Sequence, residues 1–215
     1  MAGRAPAADK RRTILDAAVR VFARQGFHAT RVADIADEAG VAYGLVYHYF
    51  GSKDEVLDTI FLERWDVMLA AIAEIDARAG ASARDKLHEI ASFIVESYRH
   101  EPDVMKVIIV EVTRAANSFG QTHLAKIREA YQQIAGIVRE AQGTGAFRAD
   151  ITAEFAAMAF YGCIEQLLTG WIFGLLEENE DGYEQAKRFV VETVCDGLEA
   201  DPSGPRTANA SGRSL

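Results

Sequence analysis

Residues 30–53 read Thr30-Arg-Val-Ala-Asp-Ile-Ala-Asp-Glu-Ala-Gly40-Val-Ala-Tyr-Gly-Leu-Val-Tyr-His-Tyr-Phe50-Gly-Ser-Lys53, and this stretch decides the fold. Val32, Ile35, Ala36 and Ala39 recur three and four apart, which places them on one face of a helix and leaves Asp34, Asp37 and Glu38 to water. Thr30 carries the side chain of an N-cap for that helix. Gly40 stands where the chain has to reverse, because a residue without Cβ enters the left-handed region at little cost, and Val41 anchors the turn. In the helix that follows, Leu45, Val46 and Phe50 can pack, while Ala42, Tyr43, Gly44, Tyr47 and His48 leave the other face small or hydrogen-bonding. Two short helices hinged at a glycine, the second richer in aromatics than a core requires, make a helix-turn-helix pattern of the kind that enters a major groove.

Upstream, Ile14, Leu15, Ala18, Val19 and Phe22 recur at helical spacing and the run closes on Gln25-Gly26-Phe27. This helix and the succession Thr30, Ile35-Ala36, Ala39-Gly40-Val41, Tyr47, Tyr49-Phe50 and Lys53 resemble the N-terminal signature of the tetracycline-repressor (TetR) family of bacterial transcription regulators. The resemblance implies an all-α, nine-helix, two-domain architecture: an N-terminal three-helix helix-turn-helix domain and a C-terminal helical domain for ligand binding and dimerisation. It further implies that Ala42, Tyr43 and Gly44 lie nearest base edges, and that Tyr47, His48 and Tyr49 meet phosphates or thymine methyls. Lys53 would add a phosphate contact at a helix start, and Thr30 and Arg31 would touch the DNA backbone. Tyr49 stands where the family often has histidine; it can donate to phosphate but carries no positive charge.

The charge is divided along the chain. Residues 1–53 balance at +3 and residues 54–215 at −12, so the basic end is the end with the motif, within a net charge of −9. Bulk charge therefore disfavours coating of nucleic acid, and affinity must come from a local patch and from symmetry. The expected organisation is a flexible arm over 1–9, a DNA-binding domain over 10–53, a ligand-binding and dimerisation domain over 54–200, and a disordered tail over 201–215, where almost no apolar residue is available to bury. Cys163 and Cys195, both inside apolar helical patterns, suit packed free thiols in a reducing cytoplasm. The charged N-terminus lacks the apolar core of a signal peptide, and the most apolar stretch, 155–176, is interrupted by Glu165 and Gln166, so no membrane span is expected.

Beyond Ser52 the pattern is helical throughout, with helices expected near 53–78, 83–99, 103–117, 121–142, 152–177 and 183–199 and no stretch alternating with period two. The last two helices carry wide apolar faces that one small bundle cannot cover, so a homodimer is expected; in the family they pair with their twofold mates and space two recognition helices for a palindromic double-stranded DNA operator. Trp65, Met68, Phe93, Tyr98, Met105, Ile109, Phe119, Tyr131, Phe160, Tyr161 and Trp171 could line an apolar effector cavity, or could equally be ordinary core. Glu111 with Arg114, and Glu165 with Gln166, are polar residues at odds with that core, as structural pairs or as ligand anchors.

Glu111-Val-Thr-Arg114-Ala-Ala-Asn117, His123-Leu-Ala-Lys-Ile127 with Tyr131, Gly145-Ala-Phe147-Arg-Ala-Asp150, and Phe160-Tyr-Gly162-Cys-Ile-Glu165 with Thr169-Gly-Trp171 resemble the acyl-CoA-responsive fatty-acid-degradation regulators of the family. That likeness implies an effector, a long-chain acyl-CoA, whose alkyl chain lies among Phe93, Phe160, Tyr161 and Trp171 and whose phosphates meet Arg114, Lys106 or Arg99. A sensor of drugs or other hydrophobic molecules without a CoA part is the alternative. No cofactor or metal is expected, and catalysis is disfavoured: His28, His48, His88, His100 and His123 show no metal-ligand spacing, and neither a phosphate-cradling glycine loop nor a nucleophile elbow occurs.

Overall fold

The computed structural model describes residues 5–112 and 121–199, and these fold into nine α-helices and one π-helical segment. The first, α1 (Ala5–Gln25), begins earlier than its apolar spacing predicts, because Ala5, Ala7 and Ala8 are strong helix formers and Pro6 is tolerated in a first turn. Part of the expected N-terminal arm is therefore helix. Gly26, at φ 81°, ends α1, and its N–H donates to Phe22 O at 2.9 Å.

Helix α2 (Val32–Ala39) is capped at Arg31, not at Thr30, with the Asp34 carboxylate accepting the Arg31 N–H at 2.7 Å. At its C-terminus Gly40 takes φ 64°, and the Val41 N–H reaches back to Ala36 O at 3.0 Å, closing the turn by which the chain enters α3 (Tyr43–Tyr49). Helix α4 (Lys53–Asp76) starts at Ser52, whose hydroxyl accepts the Glu55 N–H at 3.0 Å, and runs unbroken for 24 residues from the helix-turn-helix into the second half of the chain.

Helix α5 (Ala83–His100) opens on a reciprocal Ser82–Asp85 cap, and Pro102 begins the short α6 (Pro102–Lys106). The long helix expected over 103–117 does not continue: residues Val107–Val112 widen into a π-helix. Five of those six residues are β-branched, which crowds an α-helical backbone, and Val107, Ile108 and Val110 are buried. Helices α7 (Gln121–Gly143), α8 (Ala153–Ile172) and α9 (Glu180–Leu198) complete the order. Helix α8 stops five residues short of its expected end, since Gly174 adopts φ 66° and the Leu175 N–H donates to Gly170 O at 2.8 Å. Asn179 then caps α9, accepting the Gly182 N–H at 2.7 Å, which moves that start from 183 to 180.

One core runs from Ile14 through Phe22, Ile35, Val46, Phe61, Ile90, Ile134, Phe160 and Val190 to Leu198. Helix α1 packs on α2 and α4, and α6 and the π segment also rest on α1, so the helix-turn-helix is seated directly on the larger bundle of α4, α5, α7, α8 and α9. Among the described residues there is no β-strand, only a single bridge between Phe147 and Glu199. No helix there is long and apolar enough to cross a membrane.

Candidate functional site

Helix α3 turns Val46 inward, with Phe50 buried just beyond it, and leaves Ala42, Tyr43, Gly44, Tyr47 and His48 exposed. This is the division expected of a helix that packs with few residues and presents the rest. Tyr43 and Tyr47 are about half exposed and sit edge to face, ring centroids 5.1 Å apart, with the Tyr43 hydroxyl donating to the Tyr47 hydroxyl at 3.2 Å. That bond holds the Tyr43 phenol above its usual range. Tyr49 is half-buried, its ring 5.2 Å from that of His48. A Cβ on Gly44 would meet nothing within 4 Å, so among the described residues no atom requires a glycine there.

Two of the expected backbone-contact residues are engaged inside the protein. Thr30 is buried; its hydroxyl donates to Gly26 O at 2.8 Å and its N–H to Phe27 O at 3.2 Å, which corrects the expectation that it touches DNA. Lys53 is half-buried and its Nζ donates to Phe27 O at 2.7 Å and Thr30 O at 2.9 Å, lying 4.3 Å from the Phe27 ring centroid. Two of its three N–H donors are thus committed to the turn between α1 and α2, an arrangement the sequence pattern did not signal. Arg31 is exposed at the start of α2. At the other end of α2, Glu38 gathers Arg20 at 2.7 Å and Arg24 at 3.2 Å, and these bonds hold its carboxyl below the usual carboxylate range.

The residues expected around an effector fall into two groups. Trp65 of α4, Tyr131 of α7 and Tyr161 of α8 adjoin one another, with Trp65–Tyr161 centroids 6.2 Å apart and Tyr131–Tyr161 5.6 Å apart; Phe61 lies 5.5 Å from Trp65. Glu165, one turn beyond Tyr161, is half-buried, and burial pushes its carboxyl up; burial first, then the Glu165 charge, raises both tyrosines. Gln166, by contrast, faces outward, so the polar pair is divided between core and surface.

Tyr98 and Trp171 belong to the second group. Their rings stack at 5.5 Å, Trp171 meets Tyr183 edge-on at 4.9 Å, and the hydroxyls of Tyr98 and Tyr183 donate to the two carboxylate oxygens of Glu178 at 3.1 and 3.2 Å. The structure therefore uses Tyr98 and Trp171 to close the junction of α5, α8 and α9, apart from the Trp65, Tyr131 and Tyr161 group. Glu178 and Tyr183 had no distinguishing spacing. Met68, Met105 and Phe160 are buried core, and Phe93 and Ile109 are half-buried. Arg99 pairs with Glu96 and Glu180 at 3.4 and 2.7 Å, surroundings that repel a phosphate. Arg114 and Phe119, and the Glu111 side chain, lie outside the described residues. Among the described residues no group of three His, Cys, Asp or Glu side chains could hold a metal ion.

Residues 14–60 match the family of bacterial regulatory proteins, tetR family, and residues 84–194 match the tetracyclin repressor-like C-terminal domain. The chain belongs to the TetR family. It is 29% identical over 188 residues to the fatty acid metabolism regulator protein of Bacillus subtilis, covering 86% of this chain and 93% of that one. It is 30% identical to the transcriptional repressor KstR2 of Rhodococcus jostii over 148 residues, 68% of this chain and 72% of the relative. Among solved structures, FadR from Bacillus subtilis in complex with stearoyl-CoA superposes with a TM-score of 0.77 at 25% identity, over 87% of this chain and 99% of that one. FadR from Bacillus halodurans shares the fold, with a TM-score of 0.78 at 22% identity over 94% and 100% of the two chains.

As a TetR-family protein the chain is a transcription regulator of helix-turn-helix type. Its outermost apolar side chains concentrate on the last two helices of the TetR body and the loop between them: Phe155, Met158, Phe173, Leu175 and Phe189 are all more than half exposed. Open grooves of about 430 and 500 Å³ lie beside Arg84, Glu140 and Phe147, and beside Leu167, Trp171 and Phe189.

Proposed function

We propose that this TetR-family chain is a repressor that binds an inverted-repeat operator as a homodimer and is released by a long-chain acyl-CoA. The observation that carries the reading is the extent of the likeness: the match to the fatty acid metabolism regulator runs over 86% of the chain and so includes the effector-binding half, not the helix-turn-helix alone. The relative solved with stearoyl-CoA supports the same effector class.

In this reading residues 10–53 are the reader and 54–200 the effector and dimer body. Ala42, Tyr43 and Gly44 face base edges, Tyr47, His48, Tyr49 and Arg31 face the DNA backbone, and Lys53 holds the reader in register with α4. A glycine inside a helix costs about 0.5–1 kcal/mol relative to alanine. With no internal neighbour to demand it at Gly44, close approach to an external surface accounts for it. The exposed faces of α8 and α9, bearing Phe155, Met158 and Phe189, are covered by a second copy, which sets the separation of the two readers. Effector binding among α4, α7 and α8 moves α4, and α4 carries the reader; a coupling of ~1–3 kcal/mol lowers DNA affinity roughly 5- to 150-fold.

Fluorescence anisotropy with an inverted-repeat duplex taken from beside the chain's own gene tests this. Saturable binding by a dimer, reversed by micromolar stearoyl-CoA and not by free CoA, is the expected result. Retention of the duplex at every acyl-CoA concentration would replace the acyl-CoA effector with a hydrophobic molecule lacking CoA.

A further inference from the structure

Resting on the acyl-CoA reading, we propose that Trp65, Tyr131, Tyr161 and Glu165 form a recognition point for a carbonyl oxygen of the effector, with the Trp65 indole N–H as its principal donor. Trp65 is only 4% exposed, and its Nε1 is buried without a hydrogen-bond partner among the described residues. Buried polar atoms are paired in the great majority of cases, and an indole N–H can only donate. An orphan donor in the middle of α4 is therefore a group held ready for an acceptor.

Its surroundings have the same character. The Tyr161 ring lies 6.2 Å away and the Tyr131 ring 5.6 Å beyond that, and neither hydroxyl bonds to a described residue. Glu165, half-buried one turn beyond Tyr161, has no ion-pair partner among the described residues. Helices α4, α7 and α8 thus gather the Trp65, Tyr131 and Tyr161 rings beside Phe61, with Glu165 one turn beyond Tyr161, and within this set the buried Trp65 N–H is the group left without an acceptor. A bare methylene chain would leave the Trp65 N–H unpaired. An acceptor oxygen satisfies it, and two sources exist in an acyl-CoA: the thioester carbonyl, or a keto group along the chain. Because Trp65 lies on the same unbroken helix as Lys53, an oxygen held by its N–H acts on the helix that positions the reader.

The test measures affinities of the full chain by calorimetry for hexadecanoyl-CoA, 3-ketohexadecanoyl-CoA and S-hexadecyl-CoA, the thioether in which a methylene replaces the carbonyl. Wild type should disfavour the thioether by about tenfold or more, the cost of an unpaired buried donor. Preference for the 3-keto ligand over both would locate the oxygen along the chain. Trp65→Phe, which keeps an aromatic ring and removes the N–H, should bring the preference below about threefold. Should that variant lose cooperative unfolding, the same comparison with Tyr161→Phe decides. Equal discrimination by wild type and variant, or none by wild type, overturns the carbonyl site and leaves the acyl-CoA reading standing. Failure of wild type to bind any of the three overturns that reading and the site with it.

Discussion

Lys53 Nζ donates to the carbonyl of Thr30 at 2.9 Å, across 23 residues of sequence, and with its bond to Phe27 O this ties the first turn of α4 to the turn that launches α2. The long helix and the reader are therefore joined by one ammonium group, and a shift of the N-terminus of α4 pulls directly on the entry to the helix-turn-helix. Lys53→Met, which keeps the aliphatic stem, should destabilise the fold by ~1–3 kcal/mol through the loss of two charge-assisted hydrogen bonds and a cation–π contact. Urea unfolding gives the number. DNA affinity at low denaturant should fall as well, and Lys53→Arg should restore part of each.

Gly44 separates stability from recognition. Its position inside α3 is helical, with open space around a built Cβ, so Gly44→Ala should raise stability by about 0.5–1 kcal/mol. The same methyl should lower operator affinity because it stands on the exposed face. Thermal unfolding and anisotropy on one preparation report both, and a variant improved in both would remove Gly44 from the proposed interface.

The reader was legible in sequence because its determinants are local: apolar spacing, one left-handed glycine at Gly40, and aromatics such as Tyr43 and Tyr47 where a core has no use for them. Thr30 was misread for the same reason. Its cap-like side chain is a local signal, whereas its burial and the Lys53 ammonium on its carbonyl are set by tertiary packing. In the second half of the chain, composition leaves Trp65, Tyr98, Tyr131, Tyr161 and Trp171 open between cavity lining and core, and does not divide them. The division depends on contacts distant in sequence: Glu178, a loop carboxylate, accepts from both Tyr98 and Tyr183, and the Trp171 ring packs on those two tyrosines. The π-helix at Val107–Val112 was written in a run of β-branched residues, yet an apolar run of that length also reads as an ordinary helix.

Two carboxyls should give opposite pH signatures. Glu38 is held below 4.5 by Arg20 and Arg24, so its contribution to stability is present above the unfolded value and lost as pH falls through the folded one. Glu165 is raised by burial, so the folded state holds its proton longer than the unfolded chain, and its contribution is present below about 4.5 and lost as pH rises through the folded value. Glu38→Gln should lower the melting temperature at pH 7 and converge on wild type near pH 3. Glu165→Gln should raise it at pH 8 and converge below pH 4. Melting curves across that range check both signs.

Phe155 and Phe189 decide whether the proposed operator geometry can exist. They are 70% and 52% exposed on adjacent helices, and neither side chain lies in the core of its own chain. Placing a carboxylate on a face that meets its own copy brings two like charges together out of water, which is more costly than removing the ring alone. Phe155→Glu with Phe189→Glu should therefore leave the helical content and the melting of the monomer fold intact while light scattering reports half the mass. Operator affinity should fall steeply, because one reader alone contacts one half-site, whereas an isolated half-site duplex should be bound as weakly by the variant as by wild type. A variant that scatters as a dimer would move the pairing surface elsewhere, toward the groove beside Arg84 and Phe147.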